Sequence, residues 1–548
     1  MLIGLEYAPR QELFAPCAAV VILPASDPAM QQLTSYVLGR WTEGTSAPTT
    51  LHNPTTESEV AQVRSGGFDA AAVVAHARTV GGPRLRALTH LERGEILRAL
   101  AHALHEKREE LILVSIENGG TTRGDAKFDL DGAIGTLTWY ADLAKSLPAR
   151  GFLVDGPGLQ LSRSPRYWGQ HIRVPRPGVA LHINAFNFPA WGMLEKLACA
   201  VLAGMPVIEK PGTPTALLAW RVAEILVGTG KLPEGSFQFI SGSLGDLMEQ
   251  LGPQDCVAFT GSSGTGMKLR AASAVIRHNL RLNIEADSLN AAVLAPDVEA
   301  GSETYNLFLA NLVTDITQKT GQKCTATRRI LVPSARVAEV RADLIAELSR
   351  IKIGNPADKD TRMGPLASAA QFRDVGAGIE RLAQHGELAC GGAKKLFDKG
   401  WFLAPTLIVA RSGHEAAFHA EEVFGPCASI LPYGGSAGEA AEIVALGGGG
   451  LVTSAYANDP SWCEQYVLAA GPWHGRVWLA SDKSAEQSLP PGMVLPSMIH
   501  GGPGRAGGGE ELGGERGLEF YLQRVAVQGF KGLVEAHFGD PKSAVTVS

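Results

Sequence analysis

The sequence predicts an α/β protein of two or three domains, and three observations carry that prediction. The chain has 548 residues, 45% of them hydrophobic, which is too many for one compact core. From Val179 onwards, short apolar runs alternate with helical patterns, the mark of βαβ units and a parallel sheet. Glycine is frequent at 64 residues and aromatics are modest at 7%, which suits a loop-rich α/β protein better than a fibrous or disordered one.

The elements follow in order. Residues 16–24, PCAAVVILP, resemble a short signal-type apolar run, but Glu6 and Glu12 precede them and a positively charged start is missing. Met30 is followed by QQLTSYVLGRW, which reads as a domain start, so residues 1–29 are expected to be a disordered or wrongly included extension. Leucines and alanines at helical spacing predict one long helix over 89–119, stopped by Asn118-Gly119-Gly120. Residues 147–178 alternate Pro, Gly, Arg and aromatics with short apolar runs, predicting a β-ribbon that leaves the main body. Then VALHIN, PVIEK, FQFIS and CVAFTG read as strands, with EKLACAVLAG and ALLAWRVAEILVG as helices between them. A second α/β series runs from about 288 to 480, with ARVAEVRADLIAELSR as its clearest helix. Residues 501–514, GGPGRAGGGEELGG, read as a Gly-rich loop, and LEFYLQRVAVQGF as a late strand.

Composition excludes several partners. The net charge is -6 and no long basic block occurs, which argues against nucleic acid. Arg173/Arg176 and Arg328/Arg329 remain local clusters for a small anion. No run of about 18 uncharged apolar residues predicts a membrane span. The seven cysteines, Cys17, Cys199, Cys256, Cys324, Cys390, Cys427 and Cys463, are scattered, without disulfide or metal-ligand spacing. A reducing, cytoplasmic compartment is expected.

Six segments can carry chemistry, and each alone has a plainer reading. AFTGSSGTGMKLR (258–270) is a strand, a Gly-rich turn and a helix start. Gly261, Ser262 and Gly266 would line a pyrophosphate site there, or form an ordinary tight turn. Asn187, before Phe188-Pro189, could donate to an oxyanion or cap a turn. Lys210 ends a strand, where nucleotides bind parallel sheets, or is a solvated lysine. Glu285 lies between apolar runs, where desolvation would raise its pKa towards a general-base range, or it is salt-bridged. Cys324 in TGQKCTATRR has Lys323, Arg328 and Arg329 nearby, whose charge would favour a thiolate, or it is an inert thiol. Glu422, before Phe424-Gly425-Pro426, is by itself an unremarkable acid.

Taken together in this order, the segments resemble the aldehyde dehydrogenase superfamily over roughly residues 35–530. The resemblance rests on Asn187-Phe188-Pro189, Lys210-Pro211, Phe259-Thr260-Gly261-Ser262, Glu285, Cys324 and Glu422-Val423-Phe424-Gly425-Pro426. It implies Cys324 as nucleophile, Asn187 and the Cys324 N–H as oxyanion donors, and Glu285 as the base that activates water. It implies Glu422 and Phe424 at the nicotinamide ribose and Lys210 at the adenosine ribose. The implied fold is a Rossmann-type cofactor domain (30–146 and 179–287) and an α/β catalytic domain (288–500). A β-ribbon from 147–178 and 518–530 would pair subunits into a homodimer or dimer of dimers, with a Gly-rich loop at 501–517.

Two departures refine the expectation. Thr213 stands where many NAD-using members have a Glu on the ribose hydroxyls, so NADP is expected to be preferred. Glu285-Ala286-Asp287-Ser288-Leu289 replaces the usual E-L-G-G-K, and the loop at 500–514 is unusual. Both resemble the subgroup that oxidises CoA-thioester semialdehydes after ring cleavage in aerobic aromatic breakdown. One branch, in phenylacetate breakdown, is fused to a hydratase domain, which is not expected here. The stand-alone branch, in benzoyl-CoA breakdown, converts 3,4-dehydroadipyl-CoA semialdehyde to the acid and is the expected match. Arg505 is a candidate for the CoA phosphates at the mouth. The rival readings are a CoA-acylating enzyme, disfavoured by a hydrolytic Glu285, and a non-catalytic binding relative, disfavoured by intact Asn187, Glu285 and Cys324.

Overall fold

The computed structural model describes residues 30–539. The expectation for residues 1–29 lies outside them. Two seven-stranded sheets organise the described chain. The first runs Arg281–Glu285, Cys256–Thr260, Ala180–Ile183, Val207–Lys210, Phe237–Phe239, Ser35–Val37 and Arg40–Thr42. Its first five strands are parallel, and the last two join antiparallel. The second sheet comes from the 288–480 series and is parallel except for its edge strand Gly386–Cys390. Strands so placed are covered on both faces, which explains their continuous apolar runs.

Trp191–Ala203 packs against the first sheet, with every residue but Gly192 buried. The predicted long helix is instead two, His90–Glu106 and Arg108–Gly119, broken where Lys107 leaves helical geometry at φ -99, ψ 8. Thr89 and Glu92 form a reciprocal cap at the first start, and Gly120 closes the second helix in the left-handed region at φ 65.

Residues 153–175 and Leu522–Phe530 form a separate antiparallel sheet, in which Tyr167–Pro175 pairs the late strand along its whole length. Residues Leu518 and Glu519, predicted as part of that strand, end the short helix Glu515–Glu519. The outer strand leaves Val525 and Phe530 exposed. Arg173 and Arg176 are structural here. Arg173 faces Glu515 and Glu519, each at 3.3 Å, and Arg176 donates to the carbonyls of Pro253 and Gln254 and to Gln523. The Gly-rich run is not a plain loop: Ile499–Gly501 and Glu510–Leu512 pair as a hairpin, with His500 opposite Glu511.

Candidate active site

The Ala180–Ile183 strand lies between Val207–Lys210 and Cys256–Thr260, so the winding of the first sheet reverses there. Open α/β sheets bind ligands outside the carboxyl ends of their strands at such a point. A cavity of about 700 Å³ lies there, lined by Asn187, Lys210, Gly261, Ser262, Glu285, Cys324, Glu422 and Phe424. Two predicted residues are placed differently. Thr213 opens a short turn between Gly212 and Pro214, which themselves line the cavity. Gly266 is buried in the Ser263–Arg270 helix, where an added Cβ would come within 3.2 Å of Ile284, so it serves close packing and does not line the cavity. At the start of that helix, Ser263 donates its N–H and hydroxyl to Asp287, at 2.9 and 2.7 Å. One helix-terminal amide expected for a pyrophosphate is therefore already given to a carboxylate.

Lys210 is largely buried, and its Nζ donates to the Pro211 carbonyl at 2.7 Å. Glu422 accepts from the Ser288 N–H at 3.1 Å and faces Arg328 at 3.4 Å. Burial pushes its carboxyl up to about 7, against the pull of Arg328. Phe424 stands edge-on to Phe186, 5.9 Å between centroids.

A smaller chamber holds Cys324, Glu285, Asn187, Trp191 and His500. The turn before Cys324 is constrained: Lys319, Thr320 and Gly321 take φ of 53°, 56° and 69°. A Cβ on Gly321 would sit 2.1 Å from the Gly425 carbonyl oxygen, so only glycine fits. Strained backbone of this kind persists only where its surroundings over-determine it. Here they do. Asn290 donates to the carbonyls of Cys324 and Ala326, at 2.7 and 3.0 Å. Arg328 donates to the carbonyls of Gly321, Lys323 and Gly425.

These contacts correct two expectations. The cations near Cys324 in sequence are committed elsewhere: Lys323 binds Asp315 at 2.8 Å, and Arg329 donates to the carbonyls of Leu289, Ile443 and Val444. Burial, with the Glu285 charge, instead pushes the Cys324 thiol well above its usual range. Glu285 also moves opposite to expectation. Burial would raise its pKa, but the His500 imidazolium at 3.0 Å, with Lys196 behind, outweighs burial and holds the carboxyl below its usual range. Arg505 is not among the residues lining either cavity and donates to the carbonyls of Gly447 and His419.

Sequence reasoning missed four residues around Glu285. His500 approaches Cys324 Sγ at 4.0 Å, and the sulfur, a Glu285 oxygen and a His500 nitrogen all lie within 4.8 Å of one another. Behind them, buried Lys196 sits between Glu195 at 3.6 Å and Glu511 at 3.1 Å. The available signal was a Glu-Lys pair inside an otherwise apolar helix, and a His and a Glu spaced across a glycine run.

Known proteins resemble this chain in sequence and in fold. The profile of the aldehyde dehydrogenase family matches residues 41–527. A 3,4-dehydroadipyl-CoA semialdehyde dehydrogenase of Aromatoleum evansii is 40% identical over 480 residues, covering 86% of this chain and 93% of the relative. An aldehyde dehydrogenase C mutant from Pseudomonas syringae, solved with NAD+ and octanal, superposes with TM-score 0.79 at 26% identity, covering 91% of this chain and 97% of that one. Lactaldehyde dehydrogenase of Escherichia coli gives TM-score 0.79 at 23% identity, covering 91% of this chain and 100% of that one, a likeness of fold. With its two sheets, its cleft at the reversal point and its buried thiol beside a carboxylate, this chain belongs to the aldehyde dehydrogenase family.

Proposed function

We propose that the protein oxidises a CoA-linked semialdehyde, 3,4-dehydroadipyl-CoA semialdehyde, to its carboxylic acid with NADP as preferred oxidant. The observation that carries the reading is the convergence of Cys324, Glu285 and Asn187 in one chamber at the floor of a dinucleotide-sized cleft. The substrate follows the 40% identical relative from Aromatoleum evansii.

Cys324 gives its thiol proton through the neighbouring Glu285 carboxylate to solvent, and its Sγ adds to the aldehyde carbon to give a thiohemiacetal oxyanion. The Asn187 amide and the Cys324 N–H stabilise its oxyanion, each such donor being worth about 3–4 kcal/mol. Bound nicotinamide supplies a hydride acceptor, after which Cys324 carries a thioester. Glu285 takes a proton from water, the hydroxide bonds to the thioester carbon, and the C–S bond breaks to return the Cys324 thiolate.

The residues present fit a dinucleotide. Lys210, Gly212 and Pro214 would meet the adenosine ribose, Gly261 and Ser262 the diphosphate, and Glu422 and Phe424 the nicotinamide ribose. Thr213 brings no carboxylate to repel a 2′-phosphate, and Lys210 can pair with one. The exposed Leu522–Phe530 strand would be covered in a homodimer or dimer of dimers. A free nucleophilic thiol fits a reducing cytoplasm.

The test is reduced-dinucleotide formation from CoA-linked semialdehydes and free aldehydes, each with NADP and NAD, with and without free CoA. The expected result is highest kcat/KM for the CoA-linked substrate with NADP, and no requirement for free CoA. Equal kcat/KM for both cofactors overturns the NADP assignment. A requirement for free CoA makes the enzyme acylating, and no turnover of any aldehyde leaves a binding relative.

A further inference from the structure

The Gly-rich hairpin is fastened to the strand that carries Glu285. Asn283 donates to Glu511 at 3.1 Å and accepts from the Glu510 N–H at 2.9 Å. The Gly509 N–H donates to the Ile284 carbonyl at 3.1 Å, and the Ala286 N–H to the Ala506 carbonyl at 3.0 Å. This fastening brings His500 Nε2 within 3.0 Å of Glu285 Oε2, and both side chains are only 4% exposed. The other carboxylate oxygen, Oε1, is buried and has no nitrogen or oxygen partner among the described residues; besides His500, only the Cys324 thiol stands at the carboxylate. A buried, unpaired carboxylate oxygen is costly, which marks it as an acceptor kept open for something that arrives.

We propose that His500 is a positioning residue for the hydrolytic step: its ring N–H anchors Oε2 of Glu285, leaving Oε1 as the oxygen that receives the proton of the attacking water. The inference rests on the aldehyde-oxidising reading above. In the step, water gives its proton to Oε1, its oxygen bonds to the thioester carbon, and the C–S bond breaks to the Cys324 thiolate. His500 exchanges no proton; it stays bonded to Oε2 throughout.

The charged and titratable groups around the imidazole support a protonated ring. Glu285 faces it from the first sheet, Cys324 from the nucleophile turn, and Glu195 and Lys196 from the Trp191–Ala203 helix. Glu511 lies across the hairpin, and Arg476 comes from the His474–Ala480 strand. Burial opposes the ring's charge, and Glu285, then Glu195, outweigh it against Arg476. A carboxylate beside a fixed cation stays ionised to lower pH, so the base remains ready across the neutral range.

Two substitutions separate this role from filling space. His500→Phe keeps an aromatic ring but removes the donor and the charge; His500→Gln keeps a donor and removes the charge. Each is read by the pH profile of kcat, by the KM for NADP, and by the pH profile of Cys324 alkylation with iodoacetamide, which needs no aldehyde. For His500→Phe, kcat is expected to fall on the order of 10²-fold with KM for NADP unchanged. Its acid limb moves to higher pH, because Glu285 loses the cation that keeps it ionised, and alkylation of Cys324 also moves to higher pH. His500→Gln recovers about tenfold of the lost kcat, while its acid limb stays shifted.

A His500→Phe enzyme with wild-type kcat and acid limb overturns the proposal, as does a Gln variant no better than Phe. If His500→Phe does not fold, an unshifted acid limb in His500→Gln overturns it and a shifted one supports it. If the wild type oxidises no aldehyde, the functional reading falls, while the alkylation profiles still decide whether His500 charges the chamber.

Discussion

The two walls that enclose Glu285 are built by opposite means. One is the row of strand ends in the first sheet. There the ladder sets the height of each functional residue: Lys210 stands beside Ile183, and Thr260 beside Glu285. The other wall is the 499–512 hairpin, which joins neither large sheet and has only three residues in each strand. It is seated by close backbone approach. An added Cβ at Gly507 would lie 2.3 Å from the Ile284 carbonyl oxygen, and at Gly509 2.6 Å from it. A sheet places a residue through its hydrogen-bond register, largely whatever its neighbours' side chains are. This hairpin places His500 through backbone contacts that require side chains to be missing at Gly507 and Gly509, together with the Asn283 amide.

Three substitutions sharpen or break that contrast. The largest effect is expected at the joint between the walls. Glu285→Gln should slow thioester hydrolysis by about 10²- to 10⁴-fold, so that intact-mass spectrometry after one turnover finds the acyl group on Cys324. Normal turnover would mean that the base lies elsewhere. Next comes the hairpin wall. Gly507 has φ 103° as well as the close approach, so Gly507→Ala should cost about 1–3 kcal/mol of stability and slow hydrolysis while NADP binding persists. Unchanged melting temperature and unchanged hydrolysis together would show that the hairpin tolerates displacement. The smallest effect belongs to the strand-end wall. Lys210→Ala should raise KM for NADP about tenfold, the worth of one charge-assisted hydrogen bond, and leave kcat alone. A loss in kcat instead would mean that the two walls are not separable.

The same contrast explains what could be read from the sequence. The strand-end residues follow alternating apolar runs, so Asn187, Lys210, Gly261 and Glu285 could be placed before any coordinates, and all four line the cleft. Gly266 was misread because a glycine in a turn-to-helix segment can serve either a ligand or a neighbouring side chain, and here it serves Ile284. The sense of the Glu285 shift was not legible. Its own segment predicts only burial, whereas its charge is set by His500, distant in the chain and part of a run that reads as loop. Proximity in sequence misled for Lys323, Arg328 and Arg329, since neighbours in a turn point in different directions and each found its own buried acceptors. The break at Lys107 falls in the polar run His105–Glu110, which separates Leu104 from Leu111, and a polar run of that length reads equally well as the solvent face of one continuous helix.

Arg328 binds the turn before the nucleophile and faces the acid proposed to hold the ribose. One guanidinium therefore belongs to both sites, and the two are not independent in a thermodynamic sense. Changes at Cys324's turn and at Glu422 should combine non-additively, because each alters the geometry that the other relies on. The effect of either residue alone is then a property of the pair, and a defect in ribose binding can arise from a substitution that never touches the ribose.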